Sequence, residues 1–286
     1  MNIEKSKPTH EAWYELLLAS LTNKSLKSPF GDKLPGFPDE KLQRNTTSLT
    51  GEKALEQADG FFVDVSNALD RANTSIQSDW KILDFGSCWG RISRFFMRDV
   101  ALNNIYGIDV EQTFVDICRT LFGTNNFSIC AALPPSRFQD SSFNLIAAYS
   151  VFSHLSEAAF VAWLRDFHRI LKPGGALAFT TRNPAFFNYC QDLRDHASGL
   201  LGYQKALAEM VPAIHDFERR YQNGEFIFVT GGGVAGGGAM NESFYGEAFI
   251  PPAYFERRLK DFFEILDFKP IGSKYDQALF VLKKRS

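Results

Sequence analysis

The feature that most constrains this chain is the strict alternation of short apolar runs and helical segments between residues 80 and 182. Short apolar runs are typical of buried strands, and the segments between them carry apolar residues at helical spacing. Strands and helices that alternate in this way indicate a parallel sheet built from right-handed crossover units. The sequence therefore predicts an α/β fold with a doubly wound, mostly parallel sheet. Its predicted strands are KILDF, NIYGID, NFSIC, FNLIAAYS and ALAFTTR.

Residues 1–79 precede this core and have a different pattern. Apolar residues at helical spacing predict amphipathic helices over 10–21 and 52–72. Between them, residues 28–51 are rich in Pro, Gly and polar residues, which predicts a loop. We expect residues 1–79 to act as a cap on the core, because so short a segment does not enclose a hydrophobic core of its own.

The part after the core also divides by pattern. Residues 183–250 are predicted to form an inserted cap that is largely helical over 184–223 and has a strand at 225–230. This segment is also expected to be too small to enclose a hydrophobic core of its own. Residues 251–286 are predicted to complete the sheet with a helix and two strands. The run GGGVAGGG at 231–238 cannot hold regular structure through its own side chains, so it predicts a mobile lid.

Charge and hydropathy exclude two classes of protein. The 286 residues include 31 Lys and Arg against 33 Asp and Glu, and the net charge of −2 argues against a dedicated nucleic-acid binder. No apolar stretch approaches the roughly 20 residues that cross a bilayer. The first residues also lack the apolar segment of a secretory signal. We therefore expect a cytoplasmic protein without membrane insertion.

Cysteine and histidine spacing predicts neither disulfides nor a metal site. The four cysteines lack CxxC spacing, and the five histidines lack the spacing of metal ligands. Phenylalanine is unusually frequent, with 28 residues. So many rings fill a large core or line a pocket for an apolar or planar ligand.

The segment KILDFGSCWGR joins the first predicted strand to a predicted helix that begins near Arg91. Asp84 ends the strand, and Gly86 and Gly90 allow a tight turn, so a ligand is expected at the carboxyl end of this strand. The second strand ends in Asp109, where an acid can accept hydrogen bonds from both hydroxyls of a ribose. The pattern therefore predicts a site for a ligand that contains a ribose.

Two ligands fit this layout, NAD and S-adenosylmethionine. A carboxylate at Asp84 would repel the pyrophosphate of NAD, and the chain lacks the G-x-G-x-x-G loop that holds a pyrophosphate. The amino acid end of S-adenosylmethionine carries an ammonium group with a sulfonium close by, and a carboxylate attracts both. Asp84 therefore favours S-adenosylmethionine as the cofactor.

Over residues 80–182 the sequence resembles the class I S-adenosylmethionine-dependent methyltransferases. Asp84, Gly86 and Gly90 are similar to the first motif of that family, and Asp109 is similar to its ribose-binding acid. FNLIAAYSVFSHLSE is similar to the fourth strand and its turn, and RILKPGGALAFTTR to the following helix, Pro-Gly-Gly turn and fifth strand. The resemblance implies a three-layer α/β/α fold with a cap inserted after strand five.

The resemblance also implies which residues bind the donor. The family's usual third loop glycine is Cys88 here, so a Cβ and a sulfur must fit beside the donor. After the third strand, Ala131 and Ala132 supply no acid for the adenine amino group, which leaves backbone atoms to hold it. The expected donor-binding residues are Asp84, Gly86, Ser87, Cys88, Trp89, Gly90, Arg91, Asp109, Val110, Phe114, Ala131, Ala132, Tyr149 and Ser150.

The expected reaction is transfer of a methyl group to a small-molecule acceptor, or to one linked to a sugar or lipid, at oxygen or nitrogen. The protein has to align the acceptor, the methyl carbon and the sulfur. An oxygen acceptor also requires a base, for which His154 after the fourth strand is the candidate. Tyr245 is the second candidate catalytic residue, and it joins Glu247, Arg182 and Asn183 as residues that are expected to hold the acceptor.

Two alternatives stay open at the level of sequence. A NAD-dependent oxidoreductase or epimerase would use a similar sheet, but it predicts the G-x-G-x-x-G loop that is absent here. A non-catalytic module would keep the fold and the donor site without transferring a methyl group, and Cys88 is compatible with it. The sequence does not indicate an oligomeric state.

Overall fold

The computed structural model describes residues 7–196, 198–210, 214–230 and 240–285. The chain divides into two compact units. The first unit comprises Met1–Cys130, Ser142–Ala147 and Ser273–Tyr275, and the second comprises Ala131–Ser141, Ala148–Gly272 and Asp276–Ser286. The predicted boundaries after residues 79, 182 and 250 stay predictions. The predicted lid at 231–238 lies outside the described residues.

The elements up to the fourth strand follow the predicted alternation. They are α1 His10–Ala19, α2 Glu40–Thr47, α3 Gly51–Arg71, β1 Ile82–Phe85, α4 Ser93–Phe96, β2 Ile105–Asp109, α5 Gln112–Phe122, β3 Phe127–Ile129 and β4 Phe143–Ala148. The four strands are apolar because most of their side chains are buried. Helix α3 buries a stripe of side chains that includes Leu55, Phe62 and Leu69. This burial explains its helical spacing of apolar residues.

The remaining elements complete the sheet and add a smaller one. They are α6 Glu157–Ile170, β5 Leu171–Thr181, α7 Ala185–His196, α8 Gly202–Met210, α9 Ile214–Gln222, β6 Ile227–Val229, β7 Glu247–Phe249, α10 Pro252–Arg258, β8 Phe263–Lys269 and β9 Ala278–Lys284. Strands β6 and β7 pair antiparallel in a two-stranded sheet.

The large sheet has seven strands in the order β3-β2-β1-β4-β5-β9-β8. β1 runs parallel to β2 and β4, and β2 runs parallel to β3. β9 runs antiparallel to β5 and β8. The predicted α/β fold with a mostly parallel sheet and flanking helices is therefore confirmed. In this register Asp84 lies opposite Gly107, and Asp109 lies opposite Ile129, so the carboxyl ends of β1, β2 and β3 meet at one edge of the first unit.

Three expectations from sequence are wrong. Residues 28–51 are not all loop, because Asp39 caps helix α2 through its side chain. The helix predicted from Arg91 onward is reduced to the single turn of α4. The segment after residue 183 does enclose a small core, in which the ring of Phe187 stacks on that of Phe249 at 3.9 Å.

Candidate active site

The loop after β1 is a tight turn fastened to β2. The N–H groups of Gly86 and Ser87 donate to the Ile108 carbonyl at 2.8 and 3.1 Å, and the Gly90 N–H donates to the Ser87 carbonyl at 2.7 Å. Gly90 has φ +75°, and a Cβ there would lie 2.2 Å from the ring of Phe122. Glycine is therefore required at this position by both conformation and space.

Asp109 connects the ends of three strands in the first unit. Its carboxylate accepts the N–H of Cys88 at 2.8 Å and the N–H of Glu111 at 3.0 Å. Its main-chain carbonyl accepts the N–H of Cys130, after β3, at 2.9 Å. Burial raises the pKa of Asp109, and the N–H donors offset only part of that rise. The acid expected to bind the ribose is thus also the residue that holds the loop in place.

Asp84 is 1% exposed and serves the turn that follows the loop. Its Oδ2 accepts the Ser93 N–H at 3.1 Å and the Ser93 hydroxyl at 2.6 Å. Burial raises the pKa of Asp84 to about 6, although both bonds from Ser93 act to lower it. These bonds give Asp84 a helix-capping role, and its contact with the donor stays a prediction.

Cys88 occupies a position whose backbone favours glycine. Its φ is +47°, in the left-handed region, where a Cβ is strained. The carbonyl of Cys88 accepts the thiol of Cys118 at 3.0 Å. Burial, together with the nearby Asp109, raises the pKa of the Cys88 thiol to about 12, so this thiol is neutral and unreactive.

Two other residues predicted to bind the donor turn their side chains into the protein. Arg91 donates to the Ala54 carbonyl at 3.2 Å and to Gln57 Oε1 at 2.6 Å, both on helix α3. The ring of Trp89 is fully buried, 6.2 Å from that of Phe37. Any contact that these two residues make with a donor is therefore expected to involve their backbone atoms.

The remaining predicted donor residues differ in exposure. In the first unit, Val110 follows Asp109 directly and Phe114 lies half-buried in the first turn of α5. In the second unit, Ala131 is exposed, and the Ala132 carbonyl accepts the indole N–H of Trp163 at 3.0 Å. Tyr149, at the end of β4, is 8% exposed.

Ser150 also has a strained backbone, with φ +58°. Its N–H donates to the hydroxyl of Thr180 at 2.7 Å, and that hydroxyl donates to Gln277 Oε1 at 2.6 Å. Gln277 closes the ring by donating its side-chain N–H to the Ser150 hydroxyl at 2.8 Å. Strained residues that a buried network holds in place are concentrated at functional sites, which supports the choice of Ser150. Sequence analysis missed Thr180 and Gln277.

His154 lies in the second unit with its ring stacked on that of Tyr245, at 4.9 Å and an interplanar angle of 4°. Its Nδ1 is 2.9 Å from the Gly246 carbonyl and 3.4 Å from Glu247 Oε1. Neither of these oxygens can donate a hydrogen bond, so Nδ1 carries a proton. When the ring is neutral, its lone pair is therefore on Nε2, the nitrogen that a general base would use.

Glu247 is fully buried and connects His154 to two more side chains. Its carboxylate accepts the Arg182 Nε–H at 2.5 Å and the hydroxyl of Tyr203. Burial alone would raise the pKa of Glu247, but the charges and hydrogen bonds of His154 and Arg182 lower it to about 2. A permanent negative charge therefore lies beside the His154 ring.

The acceptor-holding residues predicted from sequence thus serve partly as a scaffold. Arg182 and Glu247 pair with each other, and Tyr203, which sequence analysis missed, bridges them. Asn183 donates to the Asp276 carbonyl, and its Oδ1 accepts the Ala185 N–H at 2.8 Å at the start of α7. Among the residues that the structure describes, no group of three or more His, Cys, Asp or Glu could hold a metal ion.

Comparisons with known proteins agree with this fold. The methyltransferase domain family matches residues 83–179. A Listeria monocytogenes protein assigned as an S-adenosylmethionine-dependent methyltransferase aligns with TM-score 0.52 and 13% identity, over 80% of this chain and 100% of its own. A Pyrococcus horikoshii protein aligns with TM-score 0.50 and 15% identity, over 87% and 100%. No curated protein sequence matches this chain.

The fold is therefore that of the class I methyltransferases, and residues 83–179 are a methyltransferase domain. The matched domain and the fold make the protein a methyltransferase, an enzyme whose methyl donor is S-adenosylmethionine. The residues described above fit this donor: Asp109 offers a buried acid for the ribose, and the loop at 86–90 lets the backbone approach it. When bound, S-adenosylmethionine supplies a methyl group activated by its sulfonium.

Replacing Cys88 tests the glycine-like conformation of the donor loop. Cys88→Gly removes a left-handed strain of about 1–2 kcal/mol and adds about 0.5–1 kcal/mol of chain entropy. We expect unchanged or higher stability in urea unfolding and unchanged or tighter binding of S-adenosylhomocysteine in calorimetry. Cys88→Ala is the matched control, since it keeps the strained Cβ and removes only the sulfur. A large loss of affinity in both variants would instead show that the sulfur packs usefully at the site.

The raised pKa of Asp84 predicts a pH-dependent stability. A carboxyl whose folded pKa lies above its unfolded value of 3.8 contributes stability below pH 3.8, and this contribution is lost as the pH rises through about 6. Asp84→Asn keeps an acceptor for Ser93 without the charge. Its unfolding free energy relative to wild type should therefore rise by up to about 3 kcal/mol between pH 4 and pH 7, measured by urea unfolding. A difference that stays constant with pH would contradict the assignment.

Proposed function

We propose that this enzyme methylates a hydroxyl oxygen of a small molecule, with His154 as the general base. The observation that carries this proposal is the pairing of His154 with the buried Glu247. An amine acceptor attacks through its own lone pair once it is deprotonated, so it does not need a positioned histidine. A hydroxyl is a weak nucleophile and gains from a base in the transition state. The near-neutral charge of the chain supports a small acceptor over a nucleic acid.

In the proposed step, bound S-adenosylmethionine would supply the methyl group and would leave as S-adenosylhomocysteine. The acceptor oxygen takes the methyl group with its lone pair. The hydroxyl proton moves to Nε2 of His154, which becomes an imidazolium. Glu247 stabilises that positive charge, because its own negative charge lies 3.4 Å from Nδ1.

Tyr245 and Arg182 complete the proposal as positioning residues. The ring of Tyr245 covers one face of the His154 imidazole and limits its rotation. Arg182 donates to Oε2 of Glu247, and Tyr203 donates to Oε1, the oxygen that also faces His154, so the carboxylate is fixed. Burial lowers the pKa of Arg182, but the charge of Glu247 outweighs burial and raises it, so Arg182 stays charged. A histidine held by a fixed carboxylate keeps one ring nitrogen available for proton transfer.

Cellular location and the remainder of the acceptor are further aspects of function. No described helix is long and apolar enough to cross a membrane. The cytoplasmic location expected from the sequence stays a prediction. An acceptor linked to a sugar or lipid also stays open, because its reacting hydroxyl would meet the same base.

Substitution of His154 tests the proposed base. His154→Ala should lower turnover with a hydroxyl acceptor by a factor on the order of 100 or more, since proton transfer loses its partner. Affinity for S-adenosylhomocysteine should stay nearly unchanged. The assay follows the release of S-adenosylhomocysteine from a panel of phenols, sugars, alcohols and amines. The matched control is His196→Ala, because His196 is exposed at the end of α7 and should leave turnover unchanged.

The choice of acceptor separates a base from a structural residue. His154→Ala should lose far more turnover on a hydroxyl acceptor than on an amine, because only the hydroxyl gains from a base in the transition state. Methylation confined to amines, or full turnover by His154→Ala on a hydroxyl acceptor, would overturn the proposal. In that outcome the protein would still be a methyltransferase, and the alignment of acceptor, methyl carbon and sulfur would be sufficient for the reaction without a base.

A further inference from the structure

The second unit contains an open cleft of about 850 Å³. We name it the arginine cleft, since three arginines line it: Arg165 on α6, Arg220 on α9 and Arg258 on α10. Its volume lies within the range of small-molecule sites. Neither His154 nor Glu247 lines it, so the proposed base does not account for it.

The charges in the arginine cleft favour an anion. Glu157 is the acid among its lining residues, and its carboxylate accepts the hydroxyl of Tyr254 at 2.7 Å. Arg220 is paired with Glu225 at 2.9 Å. Within the described part of the chain, Arg165 and Arg258 form no ion pair with a carboxylate, and Arg258 shares a side-chain hydrogen bond with Tyr254. A guanidinium has five N–H donors, so both groups, on different helices, keep donors with which to bind an anion.

Three other lining residues favour an anion that carries a planar aromatic ring. Phe226, Phe228 and Phe262 all line the cleft. The ring of Phe226 is fixed by an edge contact with Tyr254 at 5.3 Å, and that of Phe262 by an edge contact with His168 at 5.5 Å. Fixed rings present flat apolar surfaces on which an aromatic ligand stacks at little cost in side-chain entropy.

We propose that the arginine cleft binds a small aromatic anion, with a carboxylate or phosphate held by Arg165 and Arg258 and a planar ring packed against the phenylalanines. This site goes beyond the proposed function and does not depend on it. A free carboxylate and a phosphate monoester share the chemistry that the arginines recognise. The experiment therefore includes one probe of each kind.

The test is calorimetric titration of the full chain with 2-naphthoate and with 2-naphthyl phosphate, and with neutral 2-naphthamide as the matched ligand. We expect at least one anion to bind, and the amide to bind about tenfold more weakly or not at all. Arg165→Ala and Arg258→Ala should each weaken binding of that anion by about tenfold, the loss of one charge-assisted hydrogen bond. Added salt should weaken it further.

Control variants keep the result interpretable. Arg219→Ala removes a neighbouring arginine that pairs with Asp216 on the surface and does not line the cleft, so affinity should stay unchanged. Arg165→Lys should lose less affinity for the anion than Arg165→Ala does. Thermal melting identifies any variant that fails to fold. Equal affinity for acid and amide, no binding of either anion, or unaltered binding in both alanine variants would overturn the proposal. His154→Ala should bind the anion as wild type does, which separates this test from that of the base.

Discussion

The buried carboxylate of Asp109 is the interaction on which the donor half of the site depends. A turn that brings the backbone close to a ligand must expose N–H groups, and such a turn is stable only if its other donors are satisfied. The carboxylate of Asp109 accepts one of them from Cys88 and also accepts the N–H of Glu111 after β2, while its main-chain carbonyl accepts the N–H of Cys130. One residue therefore fixes the ends of β1, β2 and β3 and has a charged acceptor at the place where a ribose is expected.

A second buried carboxylate, Glu247, organises the other unit in the same manner. Breaking a buried ion pair by removing one partner costs about 3–5 kcal/mol, because the other charge is left in a low-dielectric environment. Glu247 avoids that cost because it pairs with Arg182 and accepts the hydroxyl of Tyr203. Its negative charge also lies close to the ring of His154, with Oε1 3.4 Å from Nδ1. Each unit thus contains one desolvated acid that orients residues predicted to belong to the active site.

Much of this arrangement is predictable from sequence, and the reasons are local. Apolar runs such as ILDF and FNLIAA are strands because the sheet buries most of their residues, and Asp84 and Asp109 end their strands at the expected edge. Helix α2 was missed because only Gln43 is buried, so no apolar periodicity marks it. The helix after the donor loop was overestimated because burial on all sides overrides helical spacing there. The contact between His154 and Glu247 joins residues far apart in sequence, and no local pattern encodes it.

The most direct test of this account is calorimetric titration of S-adenosylhomocysteine and of NAD into wild type and Asp109→Asn. Asparagine keeps one of the two oxygen acceptors for the N–H groups of Cys88 and Glu111, and it removes the charge that the ribose hydroxyls need. The account predicts that wild type binds S-adenosylhomocysteine and not NAD. It also predicts that Asp109→Asn loses about 1–3 kcal/mol of affinity, roughly tenfold to a hundredfold. Binding of NAD without any response to S-adenosylhomocysteine would contradict the account.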